Sequence, residues 1–305
     1  MKCPLCKVNQ PSLYARIKKY TYYRCNNCKV LYLFPLPSQK ILHDYYAKQF
    51  LYCDGLSNKD IIQKRSVKIL KKLVSITPYA KTLCDVGSGY GIFLHEARLK
   101  GYKTVGIEPS LVLAKFAKKI FHVTSFVGTL EKYVQNKHAQ FDIVTCIHVI
   151  EHVAFPKQFI SHLLRLVKPG GVLYIETPNA DSHLLYAEKD KYTFFLPPDH
   201  LWVLSKTSFL YLLSTKVQCV SVTTYSYSEH LMGIVKKILK PVLHYSDTVD
   251  KIKLSNGSNR FNTTEKNTFS KQIRYLLFDK LLAPLFTGLL NLHHKGSILE
   301  LYIKK

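Results

Sequence analysis

Apolar positions change period along the chain. Between Ser57 and Ile76, the residues Ile62, Ile69, Leu70, Leu73 and Val74 recur at helical spacing, and Pro78 closes the run. A shorter helix is expected before it, with Ser38 as N-cap after Leu36-Pro37, carrying Tyr45-Tyr46 and ending near Phe50. From Thr82 onward, short apolar runs alternate with amphipathic ones. Strands are expected at Thr82–Val86, Thr104–Ile107, His122–Val127, Phe141–Cys146 and Val172–Thr177. Helices are expected at Ile92–Lys100, Ser110–Ile120 and Pro156–Val167, the last stopped by Lys168-Pro169-Gly170-Gly171. Strands alternating with helices across short turns predict an α/β fold with a doubly wound parallel sheet.

Beyond Pro178 the pattern loosens. A long loop holds Phe194 to Trp202, Thr207–Leu213 reads as a short helix, and Val217–Tyr225 as a strand. Leu231–Leu243 is a basic amphipathic stretch, with Ile234, Val235, Ile238, Leu239 and Val242 on one face and Lys236, Lys237 and Lys240 mostly elsewhere. Residues 249–268 are polar and read as a mobile linker. Ile273–Leu292 is again amphipathic, and Ile298–Ile303 alternates as a closing strand. The divisions that follow are a small N-terminal module at 1–36, a helical linker or cap at 37–80, a core at 81–228, a helical insertion at 229–295 and a last core strand at 296–305.

One stretch organises the core. Asp85 closes the strand Thr82–Val86, and Gly87, Gly89 and Gly91 follow at alternate positions before a new helix. Glycine lets the backbone bend sharply and approach a ligand, and the new helix aims free N–H groups at the same place. This is a nucleotide-type cofactor loop at the carboxyl end of a parallel strand. Ile92 stands where a dinucleotide fingerprint would place its third glycine. Glu108 ends the next strand, at the distance where an acid takes a ribose diol.

Cysteine and charge add two features. Cys3-x-x-Cys6 and Cys25-x-x-Cys28 are two knuckles at zinc-ribbon spacing, which together present four thiolates to a structural zinc with no open position. Redox thiols or a disulfide pair are the competing readings, and no secretory signal supports them. Cys84 and Cys146 lie in apolar strands and read as core. Against 20 Asp+Glu the chain has 44 Lys+Arg, a formal net charge of +24, which suits anionic partners or reflects a lysine-rich proteome. No apolar run is long enough to span a bilayer, so a cytoplasmic chain is expected.

Five motifs in order carry a resemblance. They are Asp85 through Gly91, Gly106-Ile107-Glu108-Pro109-Ser110, Phe141-Asp142-Ile143-Val144, Glu151-His152-Val153 and Lys168 through Leu173. Across residues 80–180 the chain resembles the class I S-adenosylmethionine-dependent methyltransferases. The resemblance implies a Rossmann-like seven-stranded sheet, mostly parallel, whose last strand is antiparallel and slots between the fifth and sixth. The knuckles resemble those of a subgroup that includes sugar C-methyltransferases and methyltransferases of glycan and natural-product pathways.

The resemblance also implies roles. Gly87, Ser88, Gly89 and Gly91 would surround the methionine part of S-adenosylmethionine, with Asp85 at its amino end. Glu108 would bind the ribose hydroxyls, Thr129 would border the adenine, and Ile147 with His148 would floor the sulfonium. An oxygen acceptor needs its proton removed, which suits histidine. His148, Glu151, His152 and His200 are the polar candidates, and three readings stay open. His152 or His200 is a general base, or the four bind a second divalent metal as E-x-x-E-H arrangements do in some related O-methyltransferases, or the Glu151–His152 pair is structural. The expected acceptor is a small molecule or glycan. The alternatives are an RNA methyltransferase, although Lys and Arg form no basic–aromatic patch, and a non-catalytic module. The 231–292 segment packs on the sheet or serves as a dimer surface, or else makes peripheral membrane contact.

Overall fold

A computed structural model of the chain describes residues 1–9, 11–38, 40–42, 45, 59–135, 141–213, 217–226 and 291–305. The expected helix at 231–243, all but the last two residues of the one at 273–292, the linker at 249–268 and most of the 43–50 stretch lie outside them, and with them the expected membrane contact. Among the described residues, no helix is long and apolar enough to cross a membrane.

The strands are β1 (Ser12–Ile17), β2 (Tyr20–Arg24), β3 (Leu31–Leu33), β4 (Thr82–Val86), β5 (Lys103–Glu108), β6 (Ser125–Val127), β7 (Phe141–Ile147), β8 (Val167–Pro178), β9 (Trp202–Val203), β10 (Gln218–Tyr225) and β11 (Ile298–Lys304). The helices are α1 (Lys59–Ile76), α2 (Ile92–Leu99), α3 (Leu111–Phe121), α4 (Leu130–Gln135), α5 (Pro156–Leu166), α6 (His183–Glu188) and α7 (Lys206–Leu212).

The large sheet has the order β10-β11-β8-β7-β4-β5-β6. β4 pairs in parallel with both β5 and β7, while β11 is antiparallel to β8 and β10. The antiparallel last strand therefore sits between the fifth and sixth strands of the core, as expected. Its strands are covered on both faces, so they read as continuous apolar runs. Successive side chains still go to opposite sides. Leu83, Ile143, Val172 and Tyr174 pack with α1, α2 and α3, while Cys84, Val86, Val144, Cys146, Leu173 and Ile175 pack with α4, α5, α7 and the N-terminal module. Helix α1 buries Ile69, Leu70 and Leu73, one face of its helical repeat. Truncating any one of these to alanine is expected to cost about 2–5 kcal/mol.

Local chemistry sets several ends. Ser38 accepts from Ile41 N, as an N-cap should. Ser110 accepts from Leu113 N at the start of α3, and His122 ends that helix with φ 52°. That left-handed turn takes the residues expected to begin a strand at His122, and β6 starts only at Ser125. The expected turn Lys168–Gly171 falls inside β8 as an excursion, because Phe141 pairs with Val167 but Ile143 pairs with Val172. Asp142 anchors the sheet's other end, accepting from the backbone N–H groups of Lys81 and Thr82 and from Lys168 Nζ.

The N-terminal module forms a second sheet, β1-β2-β3-β9. Its fourth strand is Trp202-Val203, from the loop after β8. Tyr22 Oη donates to the His200 carbonyl at 2.6 Å, and Ser208 Oγ donates to the Cys28 carbonyl at 2.9 Å. The module is thus docked on the core at the loop that carries His200.

Candidate active site

The cleft opens where the chain reverses its order. β4 leads outward to β5 and β6 on one side, while β7 and β8 lie on the other. In open α/β sheets, ligands bind at the carboxyl ends of strands at such a switch point. The cleft holds about 250 Å³, and Asp85, Gly87, Ser88, Ile147 and His148 line it together with Arg65 and Glu176.

Its first wall is the glycine loop, mostly main chain: Asp85, Gly87 and Ser88 line the cleft itself, while Gly89, Gly91, Glu108 and Thr129 stand outside its lining. Gly87 turns at φ +79°, and a Cβ there would lie 2.3 Å from Val149 Cγ2. Gly89, at φ +50°, has open space where a side chain would stand, with no atom nearer than the Gly87 oxygen at 4.0 Å. That cradle fits a ligand pressed against the loop. Glu108 holds the loop's apex: its two carboxylate oxygens accept from Gly89 N and Ser110 N, each at 2.8 Å. Glu108 is buried, and burial raises its carboxyl pKa against the pull of those two N–H donors. Asp85 is buried too, and its Oδ1 accepts from Thr145 Oγ1 at 2.6 Å. Burial pushes Asp85 up to about 7, with the Thr145 hydroxyl opposing and the Glu108 charge adding. Ser88 turns its hydroxyl inward to Ser125 Oγ at 3.0 Å. Gly91 is the N-cap of α2 at φ +79°. Thr129 follows β6, beside Gly128, whose N–H donates to the Glu108 carbonyl.

The second wall is made of side chains: Arg65, His148 and Glu176 line the cleft, and Glu151 is buried behind them. His148 follows β7 at φ 52°, an uncommon conformation for a residue with a side chain. Its Nδ1 lies 3.1 Å from Glu151 Oε1 and its Nε2 3.3 Å from Glu176 Oε1. Burial disfavours the charged ring, but the two carboxylates win and push His148 up to about 10. Burial would raise Glu151, yet its bond to His148 and the neighbouring histidines bring it down to about 2. Glu151 is fully buried, and its other oxygen accepts from Thr177 Oγ1 at 3.0 Å. At neutral pH, His148 is therefore an imidazolium held between two carboxylates.

His152 and His200 lie beyond Glu151, and neither lines the cleft that His148 floors. His152 Nδ1 faces Asp199 twice, at 2.8 Å to Oδ1 and 3.2 Å to the carbonyl. Burial lowers His152, and Asp199 overcomes it, so the net shift is upward. His200 Nδ1 lies 2.8 Å from the Phe194 carbonyl. A carbonyl only accepts, so Nδ1 carries the proton and Nε2 keeps its lone pair. Burial pushes His200 below its usual value. The two rings meet edge to face at 4.8 Å. A ring nitrogen of each and an oxygen of Glu151 lie within 4.8 Å of one another.

Several residues of this wall went unread in the sequence. Arg65 on α1 donates to Glu176 Oε2 at 2.8 Å, to Tyr174 Oη at 3.1 Å and to Glu300 Oε1. Tyr225 Oη donates to Glu176 Oε1 at 2.6 Å, and its ring lies 3.7 Å under the Arg65 guanidinium. Burial would raise Glu176, but His148 and Arg65 hold it down to about 2. The available signal was a carboxylate inside each of two apolar strands, Glu176 and Glu300, since such groups stay buried only when paired.

The four knuckle cysteines converge as a second candidate site. Cys3 Sγ lies 3.7 Å from Cys28 Sγ, and Cys6 Sγ 3.5 Å from Cys25 Sγ. Tetrahedral zinc with Zn–S near 2.3 Å needs sulfurs about 3.8 Å apart, so the set fits. Each knuckle is closed alike, by Lys7 N to the Cys3 carbonyl and by Lys29 N to the Cys25 carbonyl, both 3.0 Å.

The sheet order, the glycine loop and the acid hooked onto it are those of a class I S-adenosylmethionine-dependent methyltransferase fold. A family profile described as "methyltransferase domain" matches residues 59–224, more than half of the chain, and the chain belongs to that family. A solved S-adenosylmethionine-dependent methyltransferase from Archaeoglobus fulgidus aligns with 86% of this chain and 99% of its own at a TM-score of 0.51, with 16% identity, a likeness of fold. The chain is 34% identical over 105 residues to a ubiquinone biosynthesis O-methyltransferase of Pseudomonas paraeruginosa, covering 32% of this chain and 45% of that one. It is 34% identical over 130 residues to the mitochondrial protein of that name from Dictyostelium discoideum, covering 37% and 40%. The chain spans about half the length of the curated relatives it matches, or less.

Proposed function

We propose that the protein transfers a methyl group from S-adenosylmethionine to an oxygen of a small molecule or glycan. The observation that carries this reading is the first wall: a buried Asp85, an open glycine cradle and Glu108 hooked onto Gly89. When bound, S-adenosylmethionine supplies a methyl already activated on its sulfonium. Asp85 takes the ammonium of the methionine part, and Glu108 takes the ribose hydroxyls. Gly87, Ser88, Gly89 and Gly91 shape the loop around it, Thr129 borders the adenine, and Ile147 with His148 forms the floor. The named O-methyltransferases support oxygen as the acceptor atom.

We assign proton removal to His200, which is buried outside the lining of the cleft that His148 floors, so the acceptor reaches it from beyond Glu151. Its Nδ1–H is taken by the Phe194 carbonyl and burial keeps it neutral, so Nε2 is a free base at physiological pH. His152, aligned by Asp199, is its neighbour, and Glu151 positions His148 rather than reacting. The spacing of Glu151, His152 and His200 favours one further reading, a divalent metal held there, and metal analysis of the purified protein decides it. Cys3, Cys6, Cys25 and Cys28 hold a structural zinc. The acceptor is found by mass spectrometry of glycans and metabolites from a deletion strain. A species lighter by one methyl group identifies it, and an unchanged profile counts against the activity.

A further inference from the structure

A second cleft lies behind Arg65. It runs between α1 and strands β10 and β11, holds about 550 Å³, and has Arg65 in its wall, as does the cofactor cleft. Its lining is cationic. Lys68, Lys71 and Lys72 line it with Arg65, against one carboxylate, Glu300, which Arg65 and Thr223 already engage. Lys72 is half-buried, with Nζ 3.1 Å from Ser221 Oγ, 3.3 Å from Thr223 Oγ1 and 4.1 Å above the Tyr302 ring. Burial lowers its pKa, and the like charges of Arg65 and Lys68 add to that against Glu300. Lys68 and Lys71 are exposed, and their side chains make no hydrogen bond or ion pair among the described residues.

Among the described residues, the one carboxylate facing these three ammonium groups is Glu300, already paired with Arg65, so the recess forms a place for an anion. The spacing is that of one helix face, at positions 68, 71 and 72. The lining hydroxyls of the edge strand, Thr223 and Thr224, already donate to Glu300 and to the Asn291 carbonyl, so the lysines are the groups that face an anion; the recess lies along that strand. It also shares a side chain with the cleft where methyl transfer is proposed. We infer that this cleft binds a phosphate or diphosphate group carried by the methyl acceptor, which is thereby anchored at Lys68, Lys71 and Lys72 beside the cofactor cleft. This rests on the methyltransferase reading for the identity of the acceptor, but the anion site stands on its own lining.

The test is calorimetric titration of the full chain with inorganic pyrophosphate, alone and after saturation with S-adenosylmethionine. Pyrophosphate is expected to bind with or without the cofactor. The Lys68→Gln/Lys71→Gln double variant is expected to bind it at least tenfold more weakly with unchanged S-adenosylmethionine affinity. The inference is overturned by no pyrophosphate binding, by equal binding to the variant, or by competition with S-adenosylmethionine. It is also overturned if phosphatidylglycerol vesicles bind through these lysines while pyrophosphate does not, since the cleft would then read a lipid surface. If S-adenosylmethionine fails to bind but pyrophosphate binds through the lysines, the methyltransferase reading falls and the anion site remains.

Discussion

The two walls of the cofactor cleft are made differently. At the ends of β4 and β5 the wall is main chain: three glycines, two N–H groups on Glu108 and one acid, Asp85, fixed by a single hydroxyl. At the ends of β7 and β8 it is side chain: His148, Glu151, Glu176 and Arg65, drawn from a helix, one strand and the turn after β7. The first wall depends on backbone shape over a short stretch, so it tolerates changes elsewhere and suits a part of a ligand common to a whole family. The second is a set of buried charges that hold only together, since removing one leaves another uncompensated. It is where a protein of this fold can change what it accepts.

That contrast is broken or sharpened by three variants and conditions, taken from the largest effect down. His200→Ala is expected to lower methyl transfer by about 10²–10⁴-fold, the usual worth of a positioned base, while S-adenosylmethionine affinity stays the same. Near-normal turnover would move the base elsewhere. Glu151→Ala is expected to destabilise the fold by about 3–5 kcal/mol in urea titration, because His148 loses a buried partner. A loss under 1 kcal/mol would show that the second wall is not a charge cluster held together from within.

The third is a pH dependence of stability. His148 is raised to about 10 in the folded chain from near 6.5 unfolded, so its contribution is complete below about pH 6.5 and is lost as pH rises through 10. Glu151 is lowered to about 2, so its contribution is present above its unfolded value near 4.3 and is lost as pH falls toward 2. Both are complete between roughly pH 4.5 and 6.5. Urea midpoints are expected to fall between pH 6 and pH 9.5, and to fall less in His148→Asn. A variant with the same alkaline limb as the parent would place the titrating group elsewhere.

The same contrast explains what the sequence made legible. Strands β4, β7 and β11 and helices α2 and α5 carry their own periodicity, so they fall within a residue or two of expectation. Asp85, the glycines, Glu108 and the four cysteines announce themselves by spacing within short stretches. Arg65 and its partners do not, because Glu176 lies 111 residues away and Glu300 235 residues away. Strand β9 is two residues long, too short for any period, and exists because Trp202 and Val203 pair with Tyr32 and Leu31. The left-handed cap at His122 was likewise hidden, since a histidine there looks like the start of the strand that follows.

The central claim is that Asp85 and Glu108 hold S-adenosylmethionine in this cleft. Calorimetric titration with S-adenosylmethionine at a series of pH values tests it most directly. Because burial raises Asp85 to about 7, the carboxyl is largely neutral at pH 6 and charged at pH 8, where it can pair with an ammonium. The account predicts one bound equivalent, affinity that rises from pH 6 to pH 8, a weaker and flatter profile for Asp85→Asn, and at least tenfold weaker binding for Glu108→Ala. No binding by the parent protein, or profiles for both variants that match it, would contradict the account.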